Sequence, residues 1–191
     1  DVIAGQGTVG MEILRQHTGP LSAVFVPVGG GGLIAGVGTY VRYLRPDVKI
    51  IGVEAEGAAS MTRAVAAKRR VRLPLDTLDL FADGTAVRQV GKESFRLARR
   101  CIDEMVTVNV DEICAAVKDV FDDTRVLAEP SGALAVAGAK RHIADHGPMA
   151  NACVAIVSGA NVNFDRLRHI SERAESGEQR EILLGVEIPE E

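Results

Sequence analysis

Apolar positions along the chain fall into short continuous runs separated by stretches with helical spacing. Residues 24–28, Val-Phe-Val-Pro-Val, form a valine-rich run that reads as a strand buried on both faces. Four unbroken glycines follow, Gly29, Gly30, Gly31 and Gly32. Leu33, Val37, Val41 and Leu44 then recur at helical spacing, and Pro46 ends the pattern. A second apolar run at 49–53 leads to Glu54, and a third at 153–157 leads to Ser158, Gly159, Ala160 and Asn161. Residues 105–110 and 182–188 alternate in strand fashion. Helices are predicted at 9–17, 61–69, 93–103, 112–124, 128–146 and 164–173. Asp111 is the expected N-cap of the helix at 112–124, and Pro130 fits the first turn of the helix at 128–146. Residues 2–8, which contain Gly5 and Gly7, read as a loop, and 73–85 as a connection closing on Ala82, Asp83 and Gly84. Strands alternating with helices predict an α/β fold: a mostly parallel twisted sheet flanked by helices, with ligands at the carboxyl ends of the strands.

A strand, a glycine turn and a helix together suit an anion site; the alternative, a tight turn between two packed elements, needs only one or two of the four glycines. Glycine lets backbone N–H groups approach an anion with no Cβ in the way, and the helix N-terminus adds unpaired donors and a positive dipole end. Two such turns follow two buried strands here. In the second, the Ser158 hydroxyl is placed either to bond a ligand or to cap the next helix. Gly30, Gly32 and Ala35 also fit the G-x-G-x-x-A fingerprint, with Glu54 at the spacing of the ribose-binding acid. On spacing alone a nicotinamide-dinucleotide-binding domain therefore remains open.

Composition narrows the partners. The 191 residues carry a net charge of −4, and no basic run is interleaved with aromatics, which argues against a nucleic-acid surface. The basic cluster at 69–72 reads as a solvated helix end. Residues 18–41 lack charge, but their glycines and Pro27 argue against a membrane helix. Cys101, Cys114 and Cys153 are odd in number and show no C-x-x-C spacing, as expected of reduced thiols in a cytoplasmic chain. His142 and His146 are four apart on a predicted helix, where they read as a solvated face. The chain begins at Asp1, near an element boundary, so a fragment is expected.

In order along the chain come Ala4-Gly5-Gln6-Gly7-Thr8, Pro27-Val28 with the four glycines and Leu33, Gly52-Val53-Glu54, Ala128-Glu129-Pro130-Ser131-Gly132-Ala133, and Ser158-Gly159-Ala160-Asn161. Together these resemble the biosynthetic threonine dehydratases (threonine deaminases), members of the tryptophan-synthase-β-like, fold type II class of pyridoxal-phosphate enzymes. The charged segment at 171–181 resembles the lead into the regulatory domain of the biosynthetic branch. Another fold type II lyase, such as a serine dehydratase, is the alternative within the class.

The resemblance implies the larger part of a fold type II large domain at 1–174, then a linker and possible first strand of an ACT-like regulatory domain at 175–191. It implies pyridoxal 5'-phosphate as cofactor, with Gly29, Gly30, Gly31, Gly32 and Leu33 holding the phosphate. Ser158 would face the ring nitrogen, Asn161 would support that turn, and Gly84 and Glu129 would lie beside the ring. Glu54 matches a cation-binding position of some relatives, notably serine racemase. The aspartate six residues on is Ser60 here, and no metal is expected. The implied reaction takes L-threonine to 2-oxobutanoate and ammonia at the start of isoleucine biosynthesis. Isoleucine is the implied feedback inhibitor of a cytoplasmic homotetramer that binds neither nucleic acid nor membrane. None of Lys49, Lys68, Lys92, Lys118 and Lys140 stands in the context of the family's cofactor-linked lysine. No catalytic residue is therefore assigned, and the chain alone is expected to be inactive.

Overall fold

The computed structural model of the chain describes residues 1–178. In chain order its elements are α1 (Val2–Gln16), β1 (Leu21–Pro27), α2 (Gly32–Leu44), β2 (Lys49–Ala55), α3 (Ser60–Ala66), α4 (Lys92–Cys101), β3 (Glu104–Val108), α5 (Val110–Thr124), α6 (Pro130–His146), β4 (Ala152–Ala155) and α7 (Arg166–Gly177). The strands form a four-stranded sheet in the order β3-β2-β1-β4. Every pairing is parallel, and Phe25 of β1 stands opposite Ile51 of β2 and Ala155 of β4.

Alternation along β1 divides the core in two. Ala23 and Phe25 face a cluster built with α5, α6 and α7 through Ile113, Leu134 and Ile170. Val24 and Val26 face the other side, where Ile34 of α2, Met61 of α3 and Phe95 of α4 pack with the inner face of α1. All four β1 side chains are fully buried, because parallel connections place helices on both faces of the sheet. The expected mostly parallel sheet with flanking helices is thus present.

Several boundaries differ from the expectation, each for a physical reason. Residues 2–8 are not a loop but the first two turns of α1. Gly5 and Gly7 cost that segment roughly 1 kcal/mol each in helix propensity. Packing reverses the balance: a Cβ on Gly36 of α2 would collide with the Ile3 carbonyl oxygen and lie 2.6 Å from the Gly7 amide nitrogen, so the two helices cross backbone to backbone. Nor is Asp111 the cap of α5. Asn109 accepts from the Glu112 N–H at 3.0 Å, and the Glu112 carboxylate accepts from the Asn109 N–H at 2.8 Å, forming a reciprocal capping box. Asp111 instead accepts from Arg173 of α7 at 2.6 Å. α7 itself runs on to Gly177, past the expected end at 173. The strand expected at 182–188 lies outside the described residues.

Two substitutions test these packing and capping arguments by thermal or urea unfolding. Gly36→Ala should lower stability by about 3 kcal/mol, the upper range for an overpacked site, because its neighbours are backbone atoms. Asn109→Ala should cost about 1 kcal/mol through loss of the cap, and Asp111→Ala clearly less.

Candidate functional site

In the strand order β3-β2-β1-β4, the connection from β1 moves one way along the sheet to β2, while β4 joins on the other side. The carboxyl ends of β1 and β4 therefore flank a topological switch point, where open α/β sheets leave a crevice. The glycine turn follows β1, and Ser158 follows β4. They meet in one cavity of about 240 Å³, which Gly29, Gly30, Gly31, Gly32, Leu33, Gly84 and Ser158 line together.

Local chemistry explains the shape of the turn. Gly31 is the N-cap of α2 with φ +86, a left-handed conformation, and a Cβ there would lie 2.7 Å from the Met61 Cε. A Cβ on Gly29 would lie 2.9 Å from the Thr85 Cα, so this position too has to be small. Gly30 faces open space on its Cβ side, and its carbonyl accepts from the Gly91 N–H at 3.0 Å. Among the described residues, the N–H groups of Gly29, Gly30, Gly31 and Gly32 donate to no backbone acceptor. Donors without backbone acceptors at the start of a 13-residue helix suit an anion. No lysine lines the cavity.

The opposite wall depends on a second close backbone crossing. The Ser158 N–H donates to the Gly132 carbonyl at 3.3 Å, and the Glu129 N–H donates to the Gly159 carbonyl at 3.1 Å. A Cβ on Gly132 would overlap the Gly159 carbonyl oxygen, and one on Gly159 would overlap the Glu129 carboxylate. The start of α6 thus seats the turn after β4 and leaves the Ser158 side chain exposed to the cavity. Glu129 is half-buried against Gly159, beside Gly84 rather than on the cavity lining. Asn161 is exposed and does not line the cavity. Thr85 and Gln6 do line it, and sequence reasoning gave them no role. Thr85 donates to the Ala82 carbonyl at 3.0 Å and reaches Ser131 Oγ at 3.3 Å, linking the 82–84 turn to α6. Gln6 arrives on α1, within the stretch whose glycines predict a loop.

Glu54 is fully buried on β2. Its carboxylate accepts from the Met61 N–H at 2.7 Å, the Thr62 N–H at 2.8 Å and the Thr62 hydroxyl at 2.7 Å. Both oxygens are thereby committed to α3, which leaves this acid unable to reach a ribose and removes the dinucleotide reading. His142 and His146 are not the solvated pair expected from their spacing. His142 is 6% exposed, its ring meets Phe25 edge-on at 5.6 Å, and Glu104 approaches its Nε2 at 3.2 Å. Sequence could not bring Glu104 to them, because it lies 38 residues away on a different element. All three cysteines are free; burial pushes the Cys101 thiol up to about 11 and the Cys114 thiol up to about 12, values that leave both unreactive. A separate cavity of about 300 Å³ between α1 and α2 is lined mainly by apolar side chains such as Ile3, Met11 and Leu97, and lacks convergent polar groups.

Residues 1–159 match the family described as pyridoxal-phosphate dependent enzyme. The chain is 57% identical over 190 residues to the L-threonine dehydratase biosynthetic IlvA of Burkholderia multivorans, covering 100% of this chain and 37% of that protein. It is 55% identical over 195 residues to the mitochondrial threonine dehydratase of Saccharomyces cerevisiae, covering 99% of this chain and 34% of that one. The solved structure of the processed form of threonine deaminase isoform 2 from Solanum lycopersicum superposes with a TM-score of 0.86 at 49% identity, covering 90% of this chain and 49% of that one. The chain thus spans about a third of the length of these two curated relatives. The likeness extends to the fold type II large domain, whose parallel sheet this chain shares.

Burial, the largest influence on Glu54, raises its pKa, and the hydrogen bonds from Thr62 and Met61 only partly offset it. The native state therefore keeps this proton at a pH where the unfolded chain has lost it. The group's stabilising contribution is full below about pH 4.3 and is lost as pH rises through the raised native value. The melting-temperature advantage of the wild type over Glu54→Ala should accordingly shrink as pH rises above about 4.3. An advantage that grows with pH would mean that the hydrogen bonds outweigh burial.

Proposed function

The chain belongs to the pyridoxal-phosphate dependent enzyme family, and on that footing we propose that it is part of a biosynthetic threonine dehydratase. This ammonia-lyase converts L-threonine to 2-oxobutanoate and ammonia at the start of isoleucine biosynthesis. The observation carrying the reading is the meeting, in one cavity, of four glycine N–H donors without backbone acceptors and the Ser158 hydroxyl. The donor set suits pyridoxal 5'-phosphate: backbone N–H groups for a dianionic phosphate, and a hydroxyl for a ring nitrogen.

In this reading the N–H groups of Gly29, Gly30, Gly31 and Gly32, with that of Leu33, hold the phosphate, and the α2 dipole adds to their pull. Ser158 bonds the ring nitrogen without supplying negative charge. Gly84 and Glu129 would lie beside the ring, and Asn161 would support the turn that carries Ser158. Bound there, the cofactor supplies the electron sink for loss of the α-proton and departure of the β-hydroxyl. A neutral hydroxyl at the ring nitrogen leaves that sink weaker than a carboxylate would, which favours elimination over transamination.

Covalent attachment falls to a lysine outside these 191 residues. Lys49 opens β2 at the opposite end of the sheet, Lys68 follows α3, Lys92 opens α4, and Lys118 and Lys140 pair with Glu178 and Asp119. Residues 1–174 serve as the catalytic portion, and 175–191 lead to an ACT-like regulatory domain that binds isoleucine as feedback inhibitor. The intact protein is a homotetramer of the cytoplasm, where the three free thiols stay reduced. Among the described residues no helix is long and apolar enough to cross a membrane, and the net charge of −4 disfavours nucleic acid.

Phosphate titrated into the isotopically labelled chain should shift the amide resonances of Gly29 to Gly32 ahead of others, and unmoved amides would remove the cradle. With pyridoxal phosphate and L-threonine, the chain alone should form no 2-oxobutanoate; turnover would require one of its five lysines to be catalytic. In the full-length holoenzyme, Ser158→Asp should lower 2-oxobutanoate formation by roughly a hundredfold and raise the share of transamination. An unchanged product ratio with cofactor bound would remove Ser158 from that electronic role; it caps no helix, since the N-cap of α7 is Asp165.

A further inference from the structure

A second cluster of ionisable groups lies at the amino end of the sheet, away from the glycine turn. β3 opens at Glu104, α6 closes at His146, and His142 precedes His146 by one helical turn on the same face. One oxygen of Glu104 and one ring nitrogen of each histidine lie within 4.8 Å of one another. His142 Nε2 and Glu104 Oε2 are 3.2 Å apart. That separation is close to the edge, about 3.3 Å, of a tetrahedral site whose ligands lie about 2.0–2.1 Å from zinc.

We propose that Glu104, His142 and His146 bind a divalent transition-metal ion, with Zn²⁺ the species that fits best. Two imidazoles and one carboxylate are a borderline donor set suited to zinc and poorly suited to calcium or magnesium, which prefer all-oxygen shells. Three protein ligands leave the fourth position to water, and an open basin of about 430 Å³ reaches both histidines from solvent.

Three features of the surroundings favour a cation. His146 Nδ1 lies 3.1 Å from the His142 carbonyl oxygen. A carbonyl only accepts, so Nδ1 carries the proton and Nε2 keeps its lone pair for a ligand. The His142 ring is held by burial and by the Phe25 edge, with its Nε2 turned to Glu104. His146 also stands in the last turn of a 17-residue helix, where the carbonyl end of the dipole attracts positive charge. Lys49 lines the basin too, but it is exposed, and its long stem keeps the ammonium in water. Asp47, on the same rim, is already paired with Arg45 at 2.8 Å.

The ion would tie the last turn of α6 to the first residue of β3. This site is distinct from the glycine turn, since the seven-residue β1 separates the two ends of the sheet by roughly 20 Å.

The test is calorimetric titration of Zn²⁺ into metal-free full chain near neutral pH, with Co²⁺ as a spectroscopic substitute. One equivalent should bind with a Kd in the micromolar range or tighter, raise the melting temperature, and give the visible bands of tetrahedral Co²⁺. His146→Ala changes an exposed side chain at a helix end and is expected to fold, which circular dichroism checks. His146→Ala and Glu104→Gln should each weaken binding at least roughly tenfold, while His17→Ala, a histidine outside the cluster, should leave it unchanged. The proposal is overturned if no single equivalent binds, or if either cluster variant loses less than that.

Discussion

Placement of β1 is the constraint on which the rest of the molecule depends. It is hydrogen-bonded to β2 on one edge and β4 on the other, both parallel, and buried on both faces. A strand so placed needs apolar residues on both alternating sets, which is why residues 23–26 contain no polar side chain. Parallel pairing on both edges also brings the carboxyl ends of β1 and β4 side by side. Two turns separated by more than 120 residues thereby face one cavity without any contact designed for that purpose.

Glycine serves two purposes in this chain. At Gly31 it supplies a backbone conformation that other residues rarely adopt. At Gly36, and at the crossing of Gly132 with Gly159, it removes a Cβ so that two backbones can touch. The second use gives the site its rigidity: α1 lies on α2, and the start of α6 lies on the turn that presents Ser158. A larger residue at these crossings would move the donors of the cavity, although none of the crossing atoms need touch a ligand.

The two ends of the sheet carry opposite electrostatic character. At the carboxyl end, the N-terminus of α2 offers N–H donors and positive dipole charge to an anion. At the amino end, α6 finishes in carbonyls, with two imidazoles and a carboxylate beside them. The polarity follows from the parallel topology, which points strands one way and most crossover helices the other.

Local pattern carried much of this. The apolar runs at 24–28, 49–53 and 153–157, the stop at Pro46 and the two glycine turns were legible because strand burial, proline geometry and glycine backbone freedom act within a few residues. The family motifs were legible for the same reason, being short and ordered along the chain. What stayed hidden depends on contacts between distant segments. The first turns of α1 form against glycine propensity because α2 packs on them. The Asn109 cap was readable in its spacing to Glu112, but Asp111 offered an equally good local signal until Arg173 engaged it. Glu54 had the spacing of a ligand-binding acid, and only the fold shows its oxygens held by α3. His142, His146 and Glu104 meet because α6 crosses the sheet beside β3, a juxtaposition set by tertiary packing and by no local pattern in the sequence.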